Sequence, residues 1–230
     1  MAKKLYLHYG PMNSSKTASL IMTHFNYREQ GQNPMILKPS IDNREGTESL
    51  VKCRAGLSAG CVLFEQTDNL FTLAASLAGA KDRHMEVFMA NTMRTVHNPN
   101  GHSLHDYKVE FGNSFEKTVD CFLIDEIQFL TLEQVKQLTD IADYLDIPVM
   151  CFGLRNDFQS NPFPASAYLQ ANAEELKETK GMCFCKRKAT HVLRVDDEGN
   201  VIKEGEQICV GGEDRYLSVC RFHWKAGIYR

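Results

Sequence analysis

The sequence has no surplus of positive charge. Its 26 Lys and Arg are outnumbered by 29 Asp and Glu, for a formal net charge of −3. Proteins specialised for nucleic acid draw much of their affinity from phosphate neutralisation, so no nucleic-acid partner is expected. Long apolar runs are also missing. Nothing approaches the roughly 18–20 consecutive apolar residues of a membrane span, so no membrane partner is expected. Behind Met1-Ala2-Lys3-Lys4 stands only a short apolar run, Leu5 to Tyr9, with neither the apolar segment nor the cleavage site of a secretion signal. A cytoplasmic protein is the expectation. Internal repeats and low-complexity tracts are absent as well.

What is present is a chain of 230 residues, 43% of them hydrophobic. That suffices for one large packed domain or a domain with a small appendage. Eight cysteines are scattered along it. In a reducing compartment they are thiols or metal ligands before they are disulfides. Cys121 and Cys151 lie inside apolar runs and read as small buried hydrophobes.

Leu5 to Tyr9 is a β-type run ending at Gly10. Lys16 to about Gln30 favours helix, with Gly31 closing it, and Pro34 to Lys38 is a second short strand. Strand, turn, helix, strand is the signature of a parallel α/β sheet. Residues 40–60 are polar and glycine-bearing and read as loop. Val62 to Glu65 is a candidate strand. Leu70 to Ala78 reads as a helix with Asn69 as N-cap and Gly79 beyond its end. Residues 80–116 show little pattern. Their four histidines, at 84, 97, 102 and 105, are irregularly spaced, so an exposed excursion is preferred to a metal site. Val119 to Asp125 suits a strand buried on both faces. Thr131 and Gln134 have capping-box spacing ahead of a helix. Pro148 to Phe152 is another buried strand, and Ala165 to about Glu178 reads as helix. After Gly181 helix signals stop and short β pieces follow. The expected division is therefore residues 1–180 as an α/β domain and 181–230 as a small β-hairpin domain.

Three motifs carry chemistry. Gly10-Pro11-Met12-Asn13-Ser14-Ser15-Lys16-Thr17 has the spacing and the strand-to-helix context of a phosphate-binding P-loop. Backbone N–H groups of such a loop face the phosphates, and the helix N-terminus adds positive potential. Lys16 would reach the β- and γ-phosphates, and Thr17 would hold Mg²⁺. The motif's second glycine is replaced by Ser15. Asp125-Glu126, at the end of an apolar strand, is Walker-B-like: Asp125 for Mg²⁺, Glu126 as a free base. Finally, Cys183-x-Cys185 and Cys220-x-x-His223 offer four ligands suited to tetrahedral zinc. The tail holding them has little core of its own, so a structural metal is the expectation.

Taken with Ile41-Asp42-Asn43-Arg44, Asp125 to Leu130, Phe152 to Phe158, Glu204 to Gln207 and Gly211 to Cys220, these motifs resemble type II thymidine kinase. The bacterial branch is the most similar, and the likeness spans nearly the whole chain except about 80–116. The resemblance implies a P-loop NTPase-type parallel sheet with flanking helices, plus a small β-rich zinc-binding domain. It implies a phosphotransferase that moves the γ-phosphate of ATP to the 5′-hydroxyl of thymidine, with deoxyuridine tolerated. Glu126 then corresponds to the base. Gly10 to Thr17 and Asp125, Glu126, Ile127 and Gln128 correspond to the ATP-binding segments. Met12, Phe129, Leu154, Phe158 and Phe163 would wall the thymine pocket, and Tyr216 and the backbone at Cys209 would hold the base edge through a lasso-like loop. Asp42, Arg44 and Arg155 would position phosphate or Mg²⁺. The family further implies a homotetramer and feedback inhibition by dTTP. Two departures stand out: Ser15, and a segment 80–116 longer than the bacterial pattern. The competing readings are a catalytically inactive nucleotide-binding module, a broader deoxynucleoside kinase, and a zinc-containing nucleic-acid ATPase. The last would bring a basic surface and helicase motifs, and the sequence has neither.

Overall fold

The computed structural model describes residues 4–42, 49–86, 111–207 and 216–230. Strand β1 (Leu5–Gly10) sends Leu5 and Leu7 into one apolar layer and ends at the P-loop, from which helix α1 (Lys16–Glu29) departs. Strand β2 (Pro34–Pro39) follows. A short hairpin, β3 (Leu50–Lys52) with β4 (Ser58–Gly60), then leads into β5 (Val62–Phe64). Helix α2 (Leu70–Leu77) is capped as expected: Asn69 accepts the Thr72 N–H at 2.9 Å. Strand β6 (Cys121–Ile124) is buried throughout. Helix α3 (Leu132–Asp140) opens with the full Thr131–Gln134 capping box and runs into a π-turn at Ile141–Leu145. Strand β7 (Val149–Leu154), helix α4 (Pro164–Asn172) and strand β8 (Glu175–Glu178) complete the main layer.

Six of these strands form one sheet in the order β5-β2-β6-β7-β1-β8. Every pairing in it is parallel. Both faces are covered, as a parallel sheet requires. On one face Ile36, Leu123 and Phe152 pack with Leu20 and Ile21 of α1. On the other, Leu37, Phe122, Ile124 and Cys151 pack with residues of α2, α3 and α4. Cys121 and Cys151 are fully buried. Among the described residues no helix is long and apolar enough to cross a membrane.

Four local expectations change. Residues 40–60 are not all loop, because Val51 of the β3–β4 hairpin is buried against the α1 face. The helix expected to continue to Glu178 stops at Asn172, and Glu175–Glu178 becomes the edge strand β8. The open edge of β1 explains this. The Glu174 carboxylate accepts the Leu5 N–H at 2.6 Å, and the Glu174 and Thr179 N–H groups donate to the Leu5 and Tyr9 carbonyls. Such ladder bonds outweigh the favourable helix propensity of Glu-Glu-Leu-Lys-Glu, a few tenths of a kcal/mol per residue. The excursion over 80–116 is not exposed at its far end: Phe111 is buried, with its ring 6.0 Å from that of Phe71. Residues 87–110, with His97, His102, His105 and the 98–101 turn, lie outside the described residues. Lastly, the tail is not free of helix. Strand β9 (Gly181–Met182) pairs with β10 (Lys188–Ala189), and β11 (His191–Val195) lies between β12 (Val201–Ile202) and β13 (Tyr216–Val219). Then comes α5 (Arg221–Ala226), six residues long and too short to show a hydrophobic period.

At the entry to α1, Asn13 and Ser15 both take left-handed backbone conformations, with φ of 58° and 63°. A side chain in that region costs about 1–2 kcal/mol, and more when it is β-branched. Ser15→Gly is therefore expected to leave folding stability unchanged or raise it slightly. Ser15→Val should lower it by about 1–3 kcal/mol, read from urea unfolding midpoints.

Candidate active site and metal centre

The carboxyl ends of parallel strands are where a sheet of this kind leaves a crevice, and the chemistry-bearing motifs collect there. The P-loop is shaped from within. Ser14 Oγ donates to the Pro11 carbonyl at 2.9 Å and pairs with Thr179 Oγ1 at the same distance. Gly10 is required by this packing, since a Cβ there would sit 2.4 Å from the Thr179 carbonyl oxygen. The Lys16 ammonium is buried and donates to the Pro11 carbonyl at 2.8 Å, with Ser14 Oγ at 3.5 Å. It thus lies folded against the loop it would serve.

Thr17 Oγ1 donates to Asp125 Oδ2 at 3.3 Å, which joins the P-loop to the end of β6. Asp125 is buried. Burial first, and then the neighbouring Glu126 carboxylate, push its carboxyl up from the ordinary 3.8 to about 7, although Lys16 opposes the shift. Asp42 adds to it and is itself buried in an ion pair with Lys38, 3.1 Å apart. Lys38 was not among the candidate residues. Its signal was a lysine in the otherwise apolar strand Pro34–Pro39, which only a partner such as Asp42 makes tolerable.

Glu126 follows in a left-handed conformation, φ 51°, at the head of a single 3-10 turn, Ile127–Phe129. Its carboxylate accepts a hydrogen bond from Gln128 Nε2, and Gln128 Oε1 accepts the Leu154 N–H at 3.0 Å. Ile127 is fully buried in the core. Phe129, Leu154 and Met12 are half-buried, and Phe158 and Phe163 are buried. The Phe158 carbonyl accepts the Trp224 indole N–H at 2.8 Å, and the Arg194 guanidinium lies 5.5 Å from its ring centre.

A buried carboxylate that the sequence did not single out organises the neighbouring loop. Asp157 accepts the N–H groups of Gln159 and Asn161 through Oδ1, and Gln207 Nε2 through Oδ2 at 2.9 Å. Arg155 is exposed and stands near the tail. Burial holds the His191 imidazole below its ordinary value, and the charges of Arg221, Arg155 and Lys225 add to this. No described contact brings Arg155 to the P-loop. Tyr216 opens β13, next to Ser218, whose hydroxyl donates to the Met12 carbonyl at 2.6 Å. Arg44 and Cys209 lie outside the described residues.

In the tail, the ligand atoms of Cys183, Cys185, Cys220 and His223 all lie within 4.8 Å of one another. His223 Nδ1 is 3.3 Å from Cys183 Sγ and 3.5 Å from Cys220 Sγ, and Cys185 Sγ is 3.9 Å from Cys220 Sγ. Tetrahedral zinc with thiolate bonds of about 2.3 Å needs ligand separations of roughly 3.8 Å, so the four donors fit that ion. Burial raises the Cys183 thiol, but backbone N–H groups of Cys185 and Cys220 and the His223 ring bring it down to about 6, favouring thiolate. Cys220 and His223 face the same way because one turn of α5 separates them.

A family model described as thymidine kinase matches residues 3–87 and 77–224. The chain belongs to the thymidine kinase family. The thymidine kinase of Rhodopirellula baltica is 42% identical over 99% of this chain and 90% of its own. That of Vibrio cholerae is 39% identical over 99% of both chains, and that of Haemophilus influenzae 40% identical over 96% of both. Membership of this family implies a nucleotide phosphate donor, and the Asp125 carboxylate is hydrogen-bonded to Thr17 in the first turn of α1.

Two outcomes follow for the site. A carboxyl raised on folding favours the native state in its neutral form. Its contribution is complete below pH about 4 and is lost as pH rises through about 7. The nucleotide-free protein should lose stability over that interval, and Asp125→Asn should flatten that part of the urea-unfolding profile. The metal centre is tested by composition: native protein should carry about one zinc per chain, and Cys220→Ser should lose most of it and unfold at lower denaturant concentration. Zinc content near zero in well-folded native protein would remove the four-ligand assignment.

Proposed function

We propose that this thymidine kinase transfers the γ-phosphoryl group of ATP to the 5′-hydroxyl of thymidine, with Glu126 as the general base. The Thr17–Asp125 hydrogen bond carries the reading, because it joins the phosphate loop to the acidic strand end and leaves Glu126 next in line. The bond between the 5′-oxygen and the γ-phosphorus forms as the bond from that phosphorus to the β–γ bridging oxygen breaks. ADP leaves, dTMP forms, and the hydroxyl proton passes to the Glu126 carboxylate.

The remaining work is positioning and charge neutralisation. Lys16 balances phosphate charge, exchanging its bond to the Pro11 carbonyl for phosphate oxygens. Thr17 and Asp125, with Asp42 held by Lys38, would hold Mg²⁺, which would supply charge neutralisation at the phosphates. The loop backbone from Met12 to Ser15 supplies N–H donors. Ser15 already adopts a left-handed conformation open to glycine, which supports a working loop over an inactive nucleotide-binding module.

On the acceptor side, Met12, Phe129, Leu154, Phe158 and Phe163 are proposed to wall the thymine, with Tyr216 and the Cys209 backbone at its edge. The Asp157–Gln207 hydrogen bond supports this, because Gln207 stands where the lasso segment begins. Arg44 and Arg155 are assigned to phosphate on the resemblance alone. A structural zinc in the Cys183, Cys185, Cys220, His223 set would fix the far end of that segment. The division near residue 180, tolerance of deoxyuridine, inhibition by dTTP, a homotetramer and a cytoplasmic setting belong to the same proposal.

Incubation with ATP, Mg²⁺ and single nucleosides should yield monophosphate from thymidine and deoxyuridine and none from deoxycytidine. Product from all three would favour a broader deoxynucleoside kinase. Glu126→Gln should lower kcat by about 10²-fold or more, the low end of a general base's contribution, while calorimetry shows unaltered ATP binding. Near-native turnover of that variant would refute the base assignment.

A further inference from the structure

Gln128 is only 4% exposed, and both ends of its amide are engaged. Oε1 accepts the Leu154 N–H at 3.0 Å, and Nε2 donates to the Glu126 carboxylate. The direction of the amide follows from chemistry. A backbone N–H can only donate, so the atom facing Leu154 must be the carbonyl oxygen, which leaves the nitrogen for Glu126. Gly153 makes the approach possible: a Cβ there would come within 2.7 Å of Oε1 and 2.5 Å of Ile127 Cγ1.

Glu126 has need of such a restraint. It follows the end of β6 in a left-handed conformation, ahead of a turn only three residues long. We propose that Gln128 is a positioning residue for the base: it clamps the Glu126 carboxylate and registers it to the backbone of Leu154 at the end of β7. This rests on Glu126 being the base. Both polar atoms of Gln128 are taken up by Glu126 and Leu154. One amide then spans the acidic turn and the strand that begins the proposed thymine wall, so the proton acceptor and the nucleoside are set by a single rigid contact.

The test is a kinetic double-mutant cycle. Gln128→Met removes both hydrogen bonds. Gln128→Glu keeps an acceptor for the Leu154 N–H and loses the donor to Glu126, so it carries the test if the first variant fails to fold. Each is measured alone and in a Glu126→Gln background, with circular dichroism as the check on folding. The expected result is a fall in kcat of about 10- to 100-fold with KM for ATP unchanged, because misplacing a reacting group acts on the chemical step. In the Glu126→Gln background the same substitutions should cost about twofold or less, because a residue acting only through Glu126 has nothing left to position. Native kcat in either folded single variant would overturn the proposal, and so would undiminished losses in the Glu126→Gln background. Near-native turnover of Glu126→Gln alone would instead sink the base assignment, and that measurement is made without any change at Gln128.

Discussion

Strands β1 and β6 end on the same side of a parallel sheet with β7 between them, and the hydrogen bond from Thr17 to Asp125 bridges that gap. The rest of the site depends on it. On one side it fixes the first turn of α1 and therefore Lys16. On the other it fixes the last residue before Glu126. Around it lie Lys16, Lys38, Asp42, Asp125 and Glu126, two cations and three carboxyls in a largely buried crevice. The Asp125 carboxyl rises toward neutrality there because burial and the neighbouring carboxylate both disfavour a further negative charge. A divalent cation would reverse that balance, which is the electrostatic reason for a site of this composition to sit beside a phosphate loop.

The tail is joined to this crevice by side-chain hydrogen bonds. Ser218 reaches the Met12 carbonyl, Trp224 the Phe158 carbonyl, and Gln207 the Asp157 carboxylate. Ser218 and Trp224 flank the Cys220–His223 half of the ligand cluster. Whatever orders Cys220 and His223 therefore also orders two of the contacts made to the P-loop and to the loop after β7. A small β-rich unit with a buried cluster of only a few residues has little else to hold it.

Much of the fold was legible in the sequence because its signals are local. The apolar run around Cys121–Ile124, the Asn69 cap and the Thr131–Gln134 box each depend on residues within a turn of one another. Three of the misread elements depend on distant partners. Glu175–Glu178 is a strand only because β1 offers an unpaired edge. The β3–β4 hairpin buries Val51 against Leu20 and Ile21 of α1, far from it in sequence. Phe111 is buried because Phe71 is there to meet it. Helix α5 is too short to have a period, and its two ligand residues mark it better than its apolar ones do.

For the site, the sequence by itself determined the candidate phosphate loop, the acidic pair and the Cys/His set that could hold a metal ion. Each is a contiguous or closely spaced set, and its chemistry requires particular side chains at particular spacings. Ser15 belongs here too as a departure visible in the sequence, but its cost was not visible, because φ is not written in residue identity. Only the tertiary structure decided that Lys38 pairs with Asp42, that Asp157 holds Gln207, and that Gln128 turns toward Glu126 and Leu154. A buried polar group must find its partner wherever the folded chain supplies one, and those partners come from different strand ends that the sheet, not the sequence order, brings together.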